Sequence, residues 1–418
     1  MGQIIEADCC VVGGGPAGMM AGFLMARAGL RTVVLEKHRD FLRDFRGDTV
    51  HPSTMQVMKE LGLLDAFLQL PHQRLERLFG QFGGERLEIV SFGGTGLSAP
   101  FIALMPQWDF LDFLADQARA LPNFTLLMST TGLDLIREGG RVAGVLARDV
   151  EDEIEIRATL TLAADGRDSR LRKKAALAVQ EFGVPIDILW FRITKDPAQT
   201  ETTLFNAGAG GIVVTIDRGD YWQCACVIPK GGAEQIRAEG LESFRARIAR
   251  IVPGLSARVG EIESWDGVKL LTVAVNRLET WHRPGFVCIG DAAHAMSPIG
   301  GVGINLAIQD AVAAANLFAA PLAAGRLSDA ELAKLARRRL FPVRATQFVQ
   351  RTMQERLLSP ILGDPDSVPA PPALLRLLSR FAFARRLLAR VLGMGVRPEH
   401  VRSPQLATHG PCLRQAER

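Results

Sequence analysis

The chain of 418 residues contains a single tyrosine, Tyr221, which disfavours any proton relay built from two tyrosines. It also lacks an excess of charge of one sign. Its 49 lysines and arginines are matched by 45 aspartates and glutamates, which gives a formal net charge of +4. This balance disfavours a nucleic-acid-binding protein, because such a protein carries a concentrated basic surface.

Runs of apolar residues stay well short of the ~18 uninterrupted residues of a membrane-spanning helix, so no such helix is predicted. The six cysteines show no spacing typical of metal ligands, and no metal site is predicted. Cys9, Cys10 and Cys288 lie in apolar runs typical of buried strands, which indicates reduced thiols and a cytoplasmic protein. The first strand begins within a few residues of Met1, which leaves no room for a signal peptide.

What the chain does contain is a βαβ pattern over its first forty residues. The strand "ADCCVVGGG", the helix "PAGMMAGFLMARAG" and the strand "RTVVLEK" predict a parallel sheet covered on both faces. Alternating apolar patterns over 74–101 and 181–266 predict antiparallel hairpins. The predicted fold class is therefore α/β: a Rossmann-type dinucleotide-binding domain with an inserted mixed or antiparallel β-sheet domain and C-terminal helices.

The domain boundaries follow from where these patterns change. The predicted ranges are 1–73, 104–180 and 267–345 for the discontinuous dinucleotide-binding domain, 74–103 and 181–266 for the β-rich inserted domain, 346–402 for a C-terminal helical region and 403–418 for a tail.

The first chemical motif is "GGGPAG", which places Gly13, Gly15 and Gly18 in the pattern G-x-G-x-x-G. The first glycine permits a tight turn, the second lets a diphosphate approach the backbone, and the third allows close packing of the helix on the strand. Glu36 ends the second strand, where a carboxylate accepts hydrogen bonds from ribose hydroxyls. Because this carboxylate repels a 2′-phosphate, the motif predicts NAD or FAD and leaves the choice between them open.

A second glycine-rich loop follows the predicted strand "FVCIGD", and Asp291 stands 255 residues after Glu36. FAD is long enough to use so late a site, whereas an NAD-binding domain has no need of one. Asp291 is predicted to accept hydrogen bonds from ribityl hydroxyls. The backbone of Gly303, Ile304 and Asn305 is predicted to contact the flavin ring, where the start of a helix stabilises an anion. The alternative, a glycine-rich turn before a core helix, is disfavoured by the first motif.

Together with "AADGRDSRLR", which contains Asp165 and Gly166, these motifs resemble those of the class A flavoprotein monooxygenases. This family includes the aromatic hydroxylases typified by para-hydroxybenzoate hydroxylase and the ubiquinone-biosynthesis hydroxylases. The resemblance covers about residues 5–345, with the three motifs in order. It implies a Rossmann-type FAD-binding domain, with the β-rich insertion as the substrate domain.

The resemblance also implies roles for single residues. Arg46 matches an arginine near the phosphates of FAD, with Arg43 as a rival for that role. Gln107 stands where the family has a polar contact to FAD. Asp165 and Gly166 match a motif implicated in binding both FAD and NAD(P)H, with a plain strand-to-helix turn as the alternative.

The family resemblance implies that NADH or NADPH binds transiently and reduces FAD, and that reduced FAD takes up O₂ to form a C4a-hydroperoxide. We therefore expect an FAD-dependent monooxygenase that hydroxylates a small, apolar aromatic or polyketide-like substrate. The alternatives are an FAD-dependent reductase or halogenase of the same fold, and a flavin-binding module without catalysis. The W-x-W-x-I-P segment of the halogenases is absent from the sequence.

Few residues qualify as a catalytic base. His51 in "TVHPST" is expected near the rim of the flavin and is the catalytic candidate. His294 and Asp48 are better explained as structural residues, and a substrate that is already activated needs no base. For four candidate residues of the substrate cavity, core packing is the favoured interpretation: Trp190, Phe191, Trp222 and Cys224.

The segment 372–397 alternates leucines and phenylalanines with arginines and contains no acidic residue. A basic amphipathic helix of this kind can lie on an anionic membrane surface. The favoured alternative is a helical hairpin that packs on the FAD-binding domain or on the partner subunit of a homodimer.

Overall fold

A computed structural model describes residues 3–42, 49–150, 152–196, 204–364 and 367–405 of the chain. The β-strands of these residues, in chain order, are β1 (Gln3–Val12), β2 (Thr32–Leu35), β3 (Thr49–Val50), β4 (Gln73–Leu75), β5 (Arg77–Phe82), β6 (Glu85–Ser91), β7 (Ile102–Leu104), β8 (Phe124–Leu127), β9 (Thr130–Glu138), β10 (Arg141–Asp149), β11 (Asp152–Ala163), β12 (Val179–Phe182), β13 (Ile186–Thr194), β14 (Leu204–Gly208), β15 (Gly211–Asp217), β16 (Tyr221–Pro229), β17 (Lys269–Leu271), β18 (Val275–Leu278), β19 (His282–Arg283), β20 (Phe286–Cys288) and β21 (His294–Ala295).

The α-helices of the same residues are α1 (Pro16–Arg27), α2 (Pro52–Glu60), α3 (Leu64–Phe67), α4 (Gln107–Arg119), α5 (Arg170–Lys174), α6 (Ala233–Ala238), α7 (Leu241–Ile251), α8 (Gly303–Ala323), α9 (Asp329–Met353), α10 (Ser359–Gly363), α11 (Ala373–Ser379) and α12 (Ala382–Met394). One π-helical turn, Gln354–Leu358, connects α9 to α10.

The largest sheet has the strand order β19-β20-β11-β1-β2-β8, and β10 and β9 extend it from β11. Strand β1 pairs in parallel with β11 and β2, and β20 pairs in parallel with β11. All residues of β2 and β20 are buried, as expected of short apolar strands covered on both faces. Helix α1 packs against α4 and α8. The predicted α/β fold class is confirmed.

A second sheet of seven strands has the order β17-β13-β16-β15-β14-β5-β6 and is antiparallel except between β14 and β5. Most of its strands come from the two regions in which hairpins were predicted. Strand β17 also pairs with β13, although the boundary predicted from the sequence assigned it to the dinucleotide-binding domain. The division into domains at the predicted boundaries stays a prediction.

Residues 403–405, which were assigned to a tail, contact the body of the protein. Ser403 is buried, and the side chain of Gln405 accepts a hydrogen bond of 2.6 Å from Arg27 Nη2. Residues 406–418 lie outside the described part of the chain.

Helix α8 and the turn before it form one stretch, Ile299–Ala323, that is long and apolar enough to cross a membrane by length and composition. In the fold, 72% of its most apolar window is buried, and the helix packs against α1 and α9. Asn305, Gln309 and Asp310 interrupt its apolar sequence, and all three are buried. These contacts are those of a core helix.

A buried network of charged side chains is centred on Asp310 in α8, whose side chain is fully buried. Its Oδ2 accepts hydrogen bonds from His294 Nε2 at 2.6 Å and from the Gly290 amide at 3.1 Å, while its Oδ1 accepts one from Arg339 Nε at 2.8 Å. Arg339 also lies 3.7 Å from Glu399. Burial alone would raise the pKa of the Asp310 carboxyl, but the charges and hydrogen bonds of His294 and Arg339 lower this pKa overall.

We expect Asp310→Asn to lower the free energy of unfolding by about 3–5 kcal/mol, because it leaves the buried Arg339 guanidinium without its main counter-charge. Urea denaturation at pH 7 measures the loss. Asp116→Asn removes a carboxylate that pairs with Arg119 on the surface at 3.2 Å, and it should cost less than about 1 kcal/mol. Equal effects of the two substitutions would contradict a stabilising role for the buried network.

The pH dependence of this stabilisation has a definite sign. Because the pKa of Asp310 is lower in the folded protein, the unfolded chain binds more protons as the pH falls. The stabilisation is complete above about pH 4, the ordinary pKa of an aspartate, and is lost as the pH falls through the folded value. The difference in stability between the wild type and Asp310→Asn should therefore persist down to about pH 4.

Candidate functional site

The turn from β1 into α1 requires glycine at two positions, one in the loop and one in the first turn of the helix. Gly13 has φ +109°, and a Cβ atom there would lie 2.3 Å from the Ala164 carbonyl oxygen. A Cβ atom on Gly18 would lie 1.7 Å from the Gly13 carbonyl oxygen. Gly15 differs, because among the described residues no atom beyond its own chain neighbours lies within 4 Å of the place where its Cβ would stand. The backbone at Gly15 is therefore open to a ligand at the start of α1.

Glu36 follows β2 and lies at the edge of this glycine loop. Its Oε2 accepts a hydrogen bond from the Gly14 amide at 2.9 Å, and its Oε1 accepts one from the His38 amide at 3.0 Å. The carboxylate is 8% exposed. These two bonds fix its orientation, and a carboxylate has further acceptor sites for ligand hydroxyls.

The second loop leaves β20 next to the first one. Gly290 has φ +58°, and a Cβ atom there would lie 2.9 Å from the Ala17 Cβ and 3.3 Å from the Ala307 Cβ, so this loop touches both α1 and α8. Asp291 follows in a short 3₁₀ turn and is half-buried. Among the described residues, none donates a hydrogen bond to the Asp291 carboxylate. A charged acceptor is thus available beside the glycine loop.

The third loop, Asp165–Gly166, follows β11, the strand between β1 and β20. Asp165 Oδ2 accepts a hydrogen bond from the Leu171 amide at 3.2 Å, whereas its buried Oδ1 has no partner in the described part of the chain. The buried Arg172 donates from Nη1 to the Ala292 carbonyl at 3.1 Å, which ties this loop to the second one. Arg172 was not singled out from the sequence, although it lies within the third motif.

Helix α8 begins where the second loop ends, and Asn305 fixes this junction. Its Oδ1 accepts hydrogen bonds from the His51 amide at 2.9 Å and from Thr54 Oγ1 at 2.8 Å, and its Nδ2 donates to the Thr49 and Gly301 carbonyls at 3.2 Å. Outside its own chain neighbours and helix backbone, no atom of the described residues lies within 4 Å of the place where a Cβ of Gly303, the first residue of α8, would stand. The start of α8 is therefore open in the same way as that of α1.

The remaining predicted FAD contacts are Gln107, Ile304 and Arg46. Gln107 is the first residue of α4 and is half-buried, and within the described residues its side chain makes no hydrogen bond. Ile304 is half-buried in the first turn of α8. Arg43, Arg46 and Asp48 lie outside the described residues.

His51, the candidate base, is 1% exposed and precedes the first residue of α2. Its Nδ1 lies 3.0 Å from the Leu392 carbonyl oxygen in α12. Burial lowers the pKa of His51 to about 4, although the carbonyl groups of Leu392 and Gly300 oppose the shift. The ring is therefore neutral at pH 7, and its burial and low basicity disfavour a role in taking a proton from a substrate.

The seven-stranded sheet has two different faces. Phe191, Trp222 and Cys224 lie in one apolar cluster with Phe244 and Ile248 of α7, which confirms core packing for these three candidates. Trp190 lies on the opposite face.

On that opposite face, half-buried Trp190, Phe205 and Val214 form a cluster with Ile299 of the loop before α8. The C-terminal elements add Leu357 and Leu375 to the same cluster, a contribution that was not predicted from the sequence. Ile299 lies four residues before Gly303, the first residue of α8, so it links this apolar cluster to the loop that leads into the helix.

The arrangement fits a long dinucleotide. Three loops lie side by side at the carboxyl ends of adjacent parallel strands, and two helices begin there with open first turns. Helix N-termini favour anionic groups such as a diphosphate. Asp291 and Asp165 Oδ1, which lack donors among the described residues, are suited to accept hydrogen bonds from hydroxyl groups.

Comparisons with known proteins agree with this geometry. The FAD binding domain family matches residues 6–352. A 6-methylpretetramide 4-monooxygenase of Streptomyces rimosus is 34% identical over 396 residues, which are 92% of each chain.

Two solved structures share the fold. Pseudomonas aeruginosa PqsL in complex with 2-aminobenzoylacetate has a TM-score of 0.75 at 22% identity, over 87% of this chain and all of that one. The anhydrotetracycline hydroxylase OxyS of Streptomyces rimosus has a TM-score of 0.70 at 21% identity, over 94% of this chain and 77% of that one. These structures show the same fold, and the match to the FAD binding domain together with the 34% identical monooxygenase shows that the chain belongs to the class A FAD-dependent monooxygenases.

Proposed function

We propose that this FAD-dependent monooxygenase uses NADH or NADPH and O₂ to hydroxylate an aromatic, polyketide-like substrate. The similarity to a 6-methylpretetramide 4-monooxygenase over 92% of the chain carries this proposal, and the apolar face beside α8 supports it. Bound FAD would pass electrons from the nicotinamide nucleotide to O₂ and deliver one oxygen atom to the substrate. The protein has to bind, orient and shield the reactants.

FAD would be held mainly by the loops at the carboxyl ends of β1, β11 and β20. Glu36 would accept hydrogen bonds from the adenosine ribose, and the open backbone at Gly15 would leave room for the diphosphate. Asp291 would accept hydrogen bonds from the ribityl hydroxyls. Asp165 is the third carboxylate beside this path, and Gln107 and Arg46 are further proposed contacts.

The first turn of α8 would lie against the flavin ring through the backbone of Gly303 and Ile304. A partly buried helix N-terminus stabilises an anion by up to about 2 kcal/mol. The start of α8 would therefore favour the negatively charged, reduced ring. The Asn305 side chain would hold the turn in position through its bonds to Thr49 and His51.

The substrate would lie between this ring and the sheet face that carries Trp190, Phe205 and Val214. That surface is apolar, which matches a bulky aromatic compound. Tyr221, the single tyrosine of the chain, begins β16 and cannot form a proton relay with a second tyrosine. His51 is buried and neutral, which makes it a poor base. The substrate would therefore bring its own activating group, such as a phenol.

Two other enzymatic activities occur on this fold, reduction and halogenation, and both are less well supported. The similar monooxygenase covers nearly the whole chain, and the tryptophan motif of the halogenases is absent. O₂ uptake that accompanies NAD(P)H oxidation would separate hydroxylation from reduction of a double bond.

We propose a cytoplasmic location, because free, reduced cysteines are typical of cytoplasmic proteins. The five described cysteines are free and buried. Burial raises the pKa of the Cys10 thiol and of the Cys226 thiol to about 12, so these two thiols stay protonated and unreactive at neutral pH.

We infer that α11 and α12 contact a second copy of the chain rather than an anionic membrane. Three of their arginines are bonded to the protein: Arg376 pairs with Glu85 at 2.7 Å, and Arg386 and Arg390 donate to the carbonyls of Gly93 and Thr95. The outer face carries side chains that are 47–69% exposed, namely Leu374, Leu377, Phe381, Phe383, Leu387 and Val391.

This outer face suits a symmetric dimer because it is apolar, and a two-fold axis would place the same apolar face of a second copy against it. Large exposed apolar patches are typical of interaction sites. Attraction to anionic lipids needs several free cations, whereas Arg376, Arg386 and Arg390 are bonded to β6 and the loop after it, and Arg380 remains as an exposed cation.

Asp291→Ala tests the placement of FAD. We expect the variant to fold normally but to bind FAD about 10–100-fold more weakly, since a hydrogen bond to a charged acceptor is lost. The ratio of flavin absorbance to protein absorbance after purification, and titration of the apoprotein with FAD, measure the effect. Asp65→Ala, at an exposed position in α3, is the control. Normal FAD affinity in Asp291→Ala would contradict the placement.

The hydroxylase proposal is tested with polycyclic phenols and simple phenols. We expect at least one polycyclic phenol to accelerate NAD(P)H oxidation and O₂ uptake, and mass spectrometry to detect a product heavier by one oxygen atom. Simple phenols serve as the comparison because they fill less of an apolar cavity. NAD(P)H oxidation that only ever yields hydrogen peroxide across the panel would contradict the proposal.

Phe383→Glu combined with Leu387→Glu tests the dimer. Light scattering after gel filtration should give twice the chain mass of 45.5 kDa for the wild type and the single mass for the variant. Arg337→Glu on the surface of α9 is the control and should remain dimeric. A monomeric wild type that sediments with vesicles containing phosphatidylserine would overturn the dimer in favour of a membrane surface.

A further inference from the structure

A second pocket lies apart from the three loops, between strands β12 and β18 and helix α9. Its volume is about 280 Å³. This is close to the ~300 Å³ at which the range of small-ligand pockets begins. It is lined by Phe182, Arg277, Arg344, Gln347, Phe348 and Arg351. None of these residues belongs to the loops assigned to FAD.

All charged side chains that line this pocket are positively charged. Three of the lining residues are arginines, and no carboxylate is among the lining residues. Burial, followed by the charges of Arg344 and Arg351, lowers the pKa of Arg277. The nearest partner of Arg351 is Glu355 at 3.7 Å, which is 62% exposed and so well screened by water. Three like charges are therefore held together without a buried counter-charge among the described residues.

Two of the arginines, Arg277 and Arg351, are held by contacts with neighbouring side chains and still have donors to spare. Arg277 donates to the side chains of Gln347 at 3.1 Å and Gln180 at 3.0 Å. The guanidinium groups of Arg277 and Arg351 lie 4.5 and 5.2 Å from the centre of the Phe182 ring. Arg351 Nε is buried and, within the described residues, has no hydrogen-bond partner. Such a donor needs an acceptor, and the pocket has room for one.

We propose that this pocket binds the phosphate group of a small ligand. Guanidinium groups match phosphate oxygens in geometry, and a phosphate carries enough charge to relieve the repulsion among three arginines. Phe348 lies at the rim and is 72% exposed, so it offers a ring on which the flat base of a nucleotide can stack. Free inorganic phosphate and the phosphate of a nucleotide are the two sources that share this chemistry.

The proposal is tested on the full-length protein loaded with FAD. Inorganic phosphate and 2′,5′-ADP are titrated separately at constant ionic strength, and the melting temperature and calorimetry report binding. We expect both probes to bind to the wild type, and Arg344→Gln with Arg351→Gln to weaken binding by at least about tenfold. Arg337→Gln removes an exposed arginine on the same helix but outside the pocket, and it should leave binding unchanged.

Phe348→Ala separates the two sources. If a nucleotide is the ligand, this substitution weakens the binding of 2′,5′-ADP and leaves that of inorganic phosphate unchanged. If free phosphate is the ligand, the substitution changes the binding of neither 2′,5′-ADP nor inorganic phosphate.

Lack of binding by the wild type, or equal loss in the control variant, would overturn the proposal. Because flavin content and hydroxylation are separate readouts, its failure is distinguishable from failure of the proposed function.

Discussion

The candidate site depends on the parallel pairing of three strands that are far apart in the sequence. Val12 at the end of β1 lies opposite Ala163 of β11, and Ala163 lies opposite Cys288 of β20. The loops that follow these residues therefore leave the sheet at the same level. A shift of β11 by one residue would turn its side chains to the other face and would carry Asp165 away from the site. This register thus places Asp165 and Asp291 at one edge of the sheet, and the pairing of β2 with β1 adds Glu36.

Buried polar residues bind the backbone of these loops from the side of the protein core, and the opposite side of the loops is open. Arg172 binds the carbonyl of Ala292, Asp310 binds the amide of Gly290, and Asn305 joins the start of α8 to the start of α2. Each of these polar groups is buried and bonded to backbone. A rigid support of this kind allows the Asp291 carboxylate to do without a donor from the described part of the chain, because its position does not depend on its own hydrogen bonds.

The glycine loops could be predicted because their requirements are local. Gly13 and Gly18 stand where a Cβ atom would collide with backbone, and that requirement is visible in the spacing of the motif. The rest depends on contacts between distant segments. The burial of His51 requires α12, and the inward direction of Arg376 requires Glu85 on β6. Hydrophobic and charge patterns identified the segment 372–397 as amphipathic, but they could not tell which of its faces meets the protein.

The contacts of Glu399 set an order of events during synthesis. Its carboxylate binds Arg338 and lies near Arg339, and its amide donates to the Gln309 side chain beside the Asp310 network. The ribosome therefore synthesises the first glycine loop hundreds of residues before the segment around Glu399, which completes the support of the second glycine loop. The first loop is thus made long before the support of the second is complete, so firm cofactor binding would follow the synthesis and docking of the segment around Glu399.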